Sequence, residues 1–282
     1  MSSSFKIACL QTRPMPDFDS ALEEIYDLAI LAVKKGAKFI TLPEYCGGLQ
    51  TKGSLLNPPS SQEKNHKVLI ELKKFSSENN VFILIGSIAI SSSNGKILNR
   101  SYIIDDKGEI LSRYDKIHLF DVDLSDTQRY RESSIISGGN IISICRSKFG
   151  ILGQTICYDI RFPSLYRELS QAGAQIIFVP AVFTKKTGEA HWHILNRARA
   201  IENGAFIVSP CAIGKVQGGG EGYGHSLIVN PWGEIIADGG NERGVIFADI
   251  NLDEVESTRK KIPSLTHDKK FGFLIQKERK TA

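Results

Sequence analysis

Two periodicities alternate along the chain. FKIACLQT and AKFITLP are short apolar runs that read as strands. Between them, DFDSALEEIYDLAILAVKKG spaces its apolar residues three and four apart, which predicts an amphipathic helix. Asp17 or Asp19 is placed to cap its start and Gly36 to end it. SQEKNHKVLIELKKFSSENN predicts a second helix, VFILIGSIAI another strand, and SYIIDDKGEILSRY a hairpin turning at Asp106-Lys107-Gly108. The same order then returns. FGILGQTICYD reads as a strand, SLYRELSQAG as a helix, AQIIFVP as a strand and GEAHWHILNRARAIENG as a helix. AFIVSPCAI follows as a strand and HSLIVNPWGEIIAD as a hairpin.

The repetition reaches single residues. KGAKFITLP recurs as AGAQIIFVP, ENNVFI as ENGAFI, and SYIIDDKGEI as SLIVNPWGEI. Phe5 aligns with Phe149, Gly36 with Gly173, Glu78 with Glu202 and Ser101 with Ser226. Self-similarity at long period points to a duplicated unit. Each half carries helices, strands and a hairpin, so its sheet is mixed and needs cover on both faces. Two such halves can bury sheet against sheet with helices outside. The expected fold is therefore an α/β four-layer αββα sandwich with an internal pseudo-twofold duplication. No linker divides the halves, so residues 1–282 read as one domain, with a C-terminal extension from about residue 252.

Composition narrows the class. The chain is 41% hydrophobic and 23% charged, as globular proteins are, and its net charge of +4 spread over 282 residues gives no nucleic-acid footprint. Basic residues gather only at the tail, as Lys269, Lys270, Lys277, Arg279 and Lys280, which reads as a solvated end. The start, MSSSFKIACLQT, lacks the charged and apolar regions of a signal peptide. The longest apolar run has ten residues, where a membrane helix needs ~20. Five cysteines without a CxxC pair argue against a disulfide framework or a structural zinc site. A reducing, cytoplasmic setting is expected.

The candidate chemistry sits just past strands, where loops replace packing. Glu44 follows FITLP, Lys116 follows the first hairpin, and Cys157 follows ILGQTI. A Cys at a strand end reads equally as a small buried hydrophobe, and Cys9, Cys145 and Cys211 keep that reading. Cys157 differs because Tyr158, Asp159 and Arg161 follow at once. A catalytic thiol needs a base or a nearby cation. Among the six histidines, His118 lies close to Lys116. His191 and His193 stand two apart on a helix, face different ways, and so do not suit a shared metal site. A desolvated carboxylate can replace histidine as the base, which makes Glu44 a candidate. Taken singly, Glu44 and Lys116 read equally well as solvated surface charges.

In order and spacing, LPEY, YDKIHLFDVD, RES, TICYDIRFP, PAVFTKKTGEAHWHILNRARAIENGAFIV and YGHSLIVNPWGEII resemble the carbon–nitrogen hydrolase (nitrilase) superfamily. The resemblance runs from FKIACLQ to about IPSL. It is strongest to the Nit branch, which contains amidases of deaminated glutathione and omega-amidases of alpha-keto acid amides. It implies the αββα sandwich. It also implies a Glu-Lys-Cys triad falling on Glu44, Lys116 and Cys157, with a second glutamate, Glu132, in support.

The implied activity is hydrolysis of a linear non-peptide amide to a carboxylate and ammonia through a Cys157 thioester. The Lys116 ammonium and the Tyr158 backbone N–H would receive the oxyanion. Arg161, Phe183 and Thr184 are candidate substrate contacts, while Asp159 and Arg161 are expected to brace the turn as a charge pair. The resemblance implies no metal or organic cofactor, a small-molecule substrate, and a homodimer or higher homo-oligomer in which SLYRELSQAG and GEAHWHILNRARAIENG pack through Trp192 and Leu195. Nitriles, N-carbamoyl compounds and acyl transfer are alternative chemistries, and a catalytically inactive binding protein on the same fold is the alternative of another class. The Gly-rich stretch at 217–224 misses the spacing of a phosphate loop and reads as a mobile loop at a pocket rim.

Overall fold

A computed structural model describes residues 4–52, 55–92, 95–125 and 128–275. Met1–Ser3, at the expected non-signal start, and Lys277, Arg279 and Lys280 of the basic tail lie outside the described residues.

The strands that form the two main sheets are β1 (Ser4–Gln11), β2 (Phe39–Thr41), β3 (Phe82–Ser91), β4 (Ile97–Ile104) and β5 (Ile110–Asp115). They continue as β6 (Ser143–Ser147), β7 (Gly150–Gln154), β8 (Ile176–Phe178), β9 (Phe206–Ser209), β10 (Leu227–Val229), β11 (Ile235–Asp238) and β12 (Gly244–Asn251). One sheet runs β12-β1-β2-β3-β4-β5 and the other β6-β7-β8-β9-β10-β11. In each, the first pair is antiparallel, the next two parallel and the last two antiparallel. The duplication read from the sequence is thus present strand for strand.

One of the four aligned pairs is off by a residue. Lys38 N donates to Lys6 O, and Gln175 N donates to Ile151 O. Ile7 pairs with Phe39, while Leu152 pairs with Ile176. With Gly36 matched to Gly173, Ile7 therefore corresponds to Leu152, and Phe5 does not correspond to Phe149. A one-residue slip exchanges the faces of a strand, and Ile7 and Leu152 both face the cluster between the sheets. Phe5 and Phe149 instead pack on each other, ring centres 4.4 Å apart. The other matches hold. Asn80 and Gly204 end their helices in the same left-handed conformation, at φ +52° and +53°, and Ser101 and Ser226 each stand just before the equivalent paired residues Tyr102 and Leu227.

Five helices complete the layers: α1 (Phe18–Lys34), α2 (Lys67–Asn79), α3 (Pro163–Gln171), α4 (His193–Asn203) and α5 (Asp253–Lys261). Asp17 caps α1, its Oδ1 accepting from Asp19 N and Ser20 N at 3.0 Å. The second predicted helix begins later than expected, because Glu63–Asn65 forms a separate 3-10 turn before α2. GEAHWHILNRARAIENG divides into a π turn at Gly188–Trp192 followed by α4. Three apolar clusters mark the three interfaces of the sandwich. One packs α1 and α2 on the first sheet, one packs α3 and α4 on the second, and the third joins the sheets. Beyond β12, Val255 of α5 enters the inter-sheet cluster, and Arg259 donates to Asn203 O and Ala174 O. No helix among the described residues is long and apolar enough to cross a membrane.

Candidate active site

The three sequence-predicted residues converge at the ends of strands. Lys116 follows from simple alternation: Ser112, Tyr114 and Lys116 point inward in turn from β5 and its extension. Glu44 lies three residues past β2. There the Leu42-Pro43 backbone presses on Gly86 of β3, where a Cβ would lie 1.9 Å from Leu42 O. Only glycine allows that approach. Cys157 lies past β7. The strand stops at Gln154, earlier than FGILGQTICYD suggested, and Cys157 opens a 3-10 turn over Cys157–Arg161.

Cys157 has φ +47°, a conformation that non-glycine residues rarely adopt and that recurs at functional sites. The surroundings fix it. Cys157 N donates to Pro180 O at 2.9 Å. The buried Asp159 carboxylate accepts from Ile156 N at 2.9 Å, Tyr114 Oη at 2.7 Å and His118 N at 3.0 Å, and it meets His118 Nδ1 at 2.7 Å. Asp159 therefore ties the cysteine turn to the segment that carries Lys116. This corrects the expected Asp159–Arg161 pair. Arg161 turns the other way, its Nη2 3.2 Å from His191 Nδ1 and its guanidinium over the Tyr158 and Phe183 rings.

At the centre, Lys116 Nζ donates to Glu44 Oε1 at 2.9 Å and to Glu132 Oε1 and Oε2 at 3.1 and 2.9 Å. All three residues are buried. Glu44 Oε2 accepts from Val182 N at 2.9 Å. Glu132 also accepts from Tyr45 Oη at 3.1 Å and Phe120 N at 2.7 Å. Burial acts to discharge Lys116, but the Glu132 and Glu44 carboxylates outweigh it and hold the ammonium well above the usual lysine range. Burial raises the Cys157 thiol well above its ordinary range, and Glu44 adds to this while Lys116 opposes it. The resting sulfur thus keeps its proton, beside a carboxylate that can take it and a fixed cation that can meet a developing negative charge.

Glu44, Lys116, Glu132, Cys157 and Tyr158 line one cavity. Phe183 and Thr184 also line it, whereas Arg161 is not in the lining and only covers the rings of Tyr158 and Phe183, which are. Leu49, Leu56, Phe120, Tyr130 and Val182 make the wall largely apolar. The Gly-rich stretch is part of the rim. Ile213–Lys215 and Glu221–Tyr223 pair as a hairpin, and Gly219, Gly220 and Glu221 face the cavity.

Sequence reasoning missed Asn99, whose Nδ2 donates to Glu44 Oε1 at 2.9 Å and Glu132 Oε1 at 3.3 Å. The signal was a polar residue on the inward face of ILNRSYII. Elsewhere, His193, His225 and Asp238 bring three possible ligand atoms within 4.8 Å of one another. Asp238 is hydrogen-bonded to both imidazoles, and the group is not part of the cavity lining. His191 is not in it.

The family model described as carbon-nitrogen hydrolase matches residues 6–260. The chain is 38% identical over 268 residues to a deaminated glutathione amidase of Synechocystis sp. (strain PCC 6803 / GT-S), covering 92% of this chain and 96% of that protein. It is 33% identical to the omega-amidase NIT2 of Xenopus tropicalis, covering 93% and 94%. The fold is similar to that of the C. elegans NitFhit protein, with TM-score 0.85 and 28% identity. The match covers 95% of this chain and 65% of NitFhit, so this chain spans just under two thirds of that protein. Saccharomyces cerevisiae Nit3, a member of branch 10 of the nitrilase superfamily, gives TM-score 0.80 at 26% identity, covering 92% and 94%.

Proposed function

Because the chain belongs to the carbon–nitrogen hydrolase family, we propose that it hydrolyses the C–N bond of a linear amide with Cys157 as nucleophile, Glu44 as proton carrier and Lys116 as electrophilic partner. One observation carries this reading: the Lys116 ammonium bonded to Glu44 and Glu132 inside the cavity that Cys157 also lines. Glu44 takes the thiol proton as Sγ attacks the amide carbon. The Lys116 ammonium and the Tyr158 backbone N–H receive the oxyanion. Donors fixed before the reaction are worth ~10²–10³ in rate each. As the C–N bond breaks, Glu44 returns the proton to the leaving nitrogen, which departs as ammonia or an amine. Cys157 remains as a thioester. Glu44 then takes a proton from water, the oxygen attacks the thioester carbon, and the acid leaves as sulfur regains its proton. Glu132 keeps Lys116 charged and in place throughout. The raised thiol supports this order, since the proton stays on sulfur until attack.

The substrate we propose is an amide that also bears a carboxylate, of the deaminated glutathione or alpha-keto acid omega-amide type. Two relatives carry those activities in their names. Arg161 supports it independently, because its guanidinium lies over two cavity-lining rings and pairs with no carboxylate of the described residues. The test is a turnover screen over deaminated glutathione, alpha-ketoglutaramate, alpha-ketosuccinamate, N-carbamoyl amino acids and simple nitriles. It must read both ammonia and free amine, because deaminated glutathione releases its nitrogen within a dipeptide. Turnover of the keto acid amides, with KM rising for Arg161→Ala, is expected. Turnover confined to nitriles or N-carbamoyl compounds would overturn the assignment.

We also propose that the protein is a homodimer, through the outer face of α4. The apolar residues exposed there are Ile194 and Ile201, with Trp232 nearby.

A further inference from the structure

We propose that Asn99 is the positioning residue that holds the Glu44 carboxylate in its working orientation, a role that rests on the triad reading above and deepens it. Asn99, Ser101 and Ile103 alternate on the inward face of β4. Ile103 belongs to the apolar cluster between the sheets. Ser101 Oγ donates to Ile85 O at 3.1 Å and accepts from Gln154 Nε2 at 3.0 Å. Asn99 is fully buried at the site end of that row.

The residue touches every charged member of the network. Its Nδ2 reaches Glu44 Oε1 and Glu132 Oε1, and its backbone O accepts from Lys116 N at 3.0 Å. Its amide can face only one way, because turning it over would set Oδ1 against two carboxylate oxygens. In this orientation Oδ1 is buried without a partner among the described residues. An unpaired buried acceptor is unfavourable, and an apolar side chain of the same shape would fill the space without that cost. What the amide adds is the donor.

That donor has a specific task. Two carboxylates face a single ammonium here. The groups that meet Glu44 and Glu132 from the surrounding segments are Lys116, Asn99, Tyr45, Cys157 and the Val182 and Phe120 amides. Among the neutral donors, only Asn99 reaches both carboxylates. Asn99 therefore ties the two carboxylates to each other and fixes the Glu44 Oε1 that also faces Lys116. Asn99 does not line the cavity, so its loss should act on kcat and leave KM alone.

The test compares Asn99→Leu and Asn99→Asp, both close in size to asparagine, with wild type and Cys157→Ala. The readouts are kcat and KM against pH, the active fraction by iodoacetamide titration, and thermal melting. For Asn99→Leu we expect kcat to fall about 10- to 100-fold per active site, the range of one hydrogen bond to a charged group, with KM within about threefold. The fall should persist across the pH profile once rates are referred to the active fraction. Asn99→Asp, which adds a third carboxylate, should lose more. A purely structural role would lower the active fraction and leave kcat per active site at the wild-type value, which overturns the proposal. If Asn99→Leu does not fold, Asn99→Ser decides by the same per-site kcat. If instead Cys157→Ala keeps turnover, the triad reading itself has failed.

Discussion

At the residue scale, the network predicts opposite responses from two neighbours. Glu44 raises the Cys157 thiol and Lys116 lowers it. Glu44→Gln should abolish turnover, by the 10²–10⁴-fold typical of a lost general base or more, yet shift iodoacetamide alkylation of Cys157 to lower pH. Lys116→Met should also abolish turnover but shift alkylation to higher pH. It leaves Glu44 and Glu132 buried without their cation, so melting should report about 3–5 kcal/mol of lost stability. Shifts in the same direction for both variants would refute the assigned roles. Cys157→Ala should remove all turnover while keeping the wild-type melting profile. Glu44, Lys116 and Cys157 were candidates in the sequence because each stands just past a strand, and only the family resemblance joined them, since each alone also fitted a bland role. Asn99 was not, because a polar residue in an alternating strand is indistinguishable from an outward-facing one until the partner strands are known.

At the scale of elements, the site depends on where strands stop. Glu44 is set by the close approach of the Leu42-Pro43 backbone to Gly86. Gly86→Ala should therefore displace the Glu44 segment or strain β3. Overpacking of this kind costs about 1–3 kcal/mol, and turnover should fall although no proposed catalytic group is changed. Thermal melting and kcat together check this, and wild-type values for both would show that the approach is not needed. The first four helices, the inner strands of both sheets and both hairpins were legible from periodicity, whereas β6, β12 and α5 were not read. The cysteine turn was read only in part. CYDIR carries opposite charges two residues apart, which suggested a local pair, but Asp159 bonds Tyr114 and His118, more than forty residues away in sequence. Local spacing cannot reveal a partner that the other sheet supplies.

At the scale of the whole molecule, duplication explains why the site lies where it does. Equivalent strands β2 and β8 carry PE and PA at their ends, and the two sheets bring these ends together, so that Val182 N, just past β8, bonds Glu44, just past β2. The sequence matches placed Gly36, Glu78 and Ser101 on their partners but missed the first strand by one residue, because aromatic identity at Phe5 and Phe149 competes with the face alternation that only the sheet contact enforces. The same limit applies to assembly. Trp192 and Leu195, expected at a subunit contact, face inward: Trp192 is fully buried and its Nε1 donates to His225 O at 2.7 Å, while Leu195 packs on the core beneath α4. Apolar residues beyond a helix's narrow stripe were accounted for by its own sheet. The large apolar residues left exposed on α4 are Ile194 at 69% and Ile201 at 53%, seven apart and so on one face. Trp232 at 56% belongs to the hairpin turn whose Gly233 O accepts from Arg197 of the same helix. Exposed apolar residues gathered on one side of the molecule favour burial against another subunit. Light scattering at dilute concentration should then give twice the 31.2 kDa chain mass. Ile194→Asp with Ile201→Asp should return the single-chain mass without changing the fold seen by circular dichroism. A wild-type protein that scatters as one chain would remove the dimer and leave the α4 face without a partner.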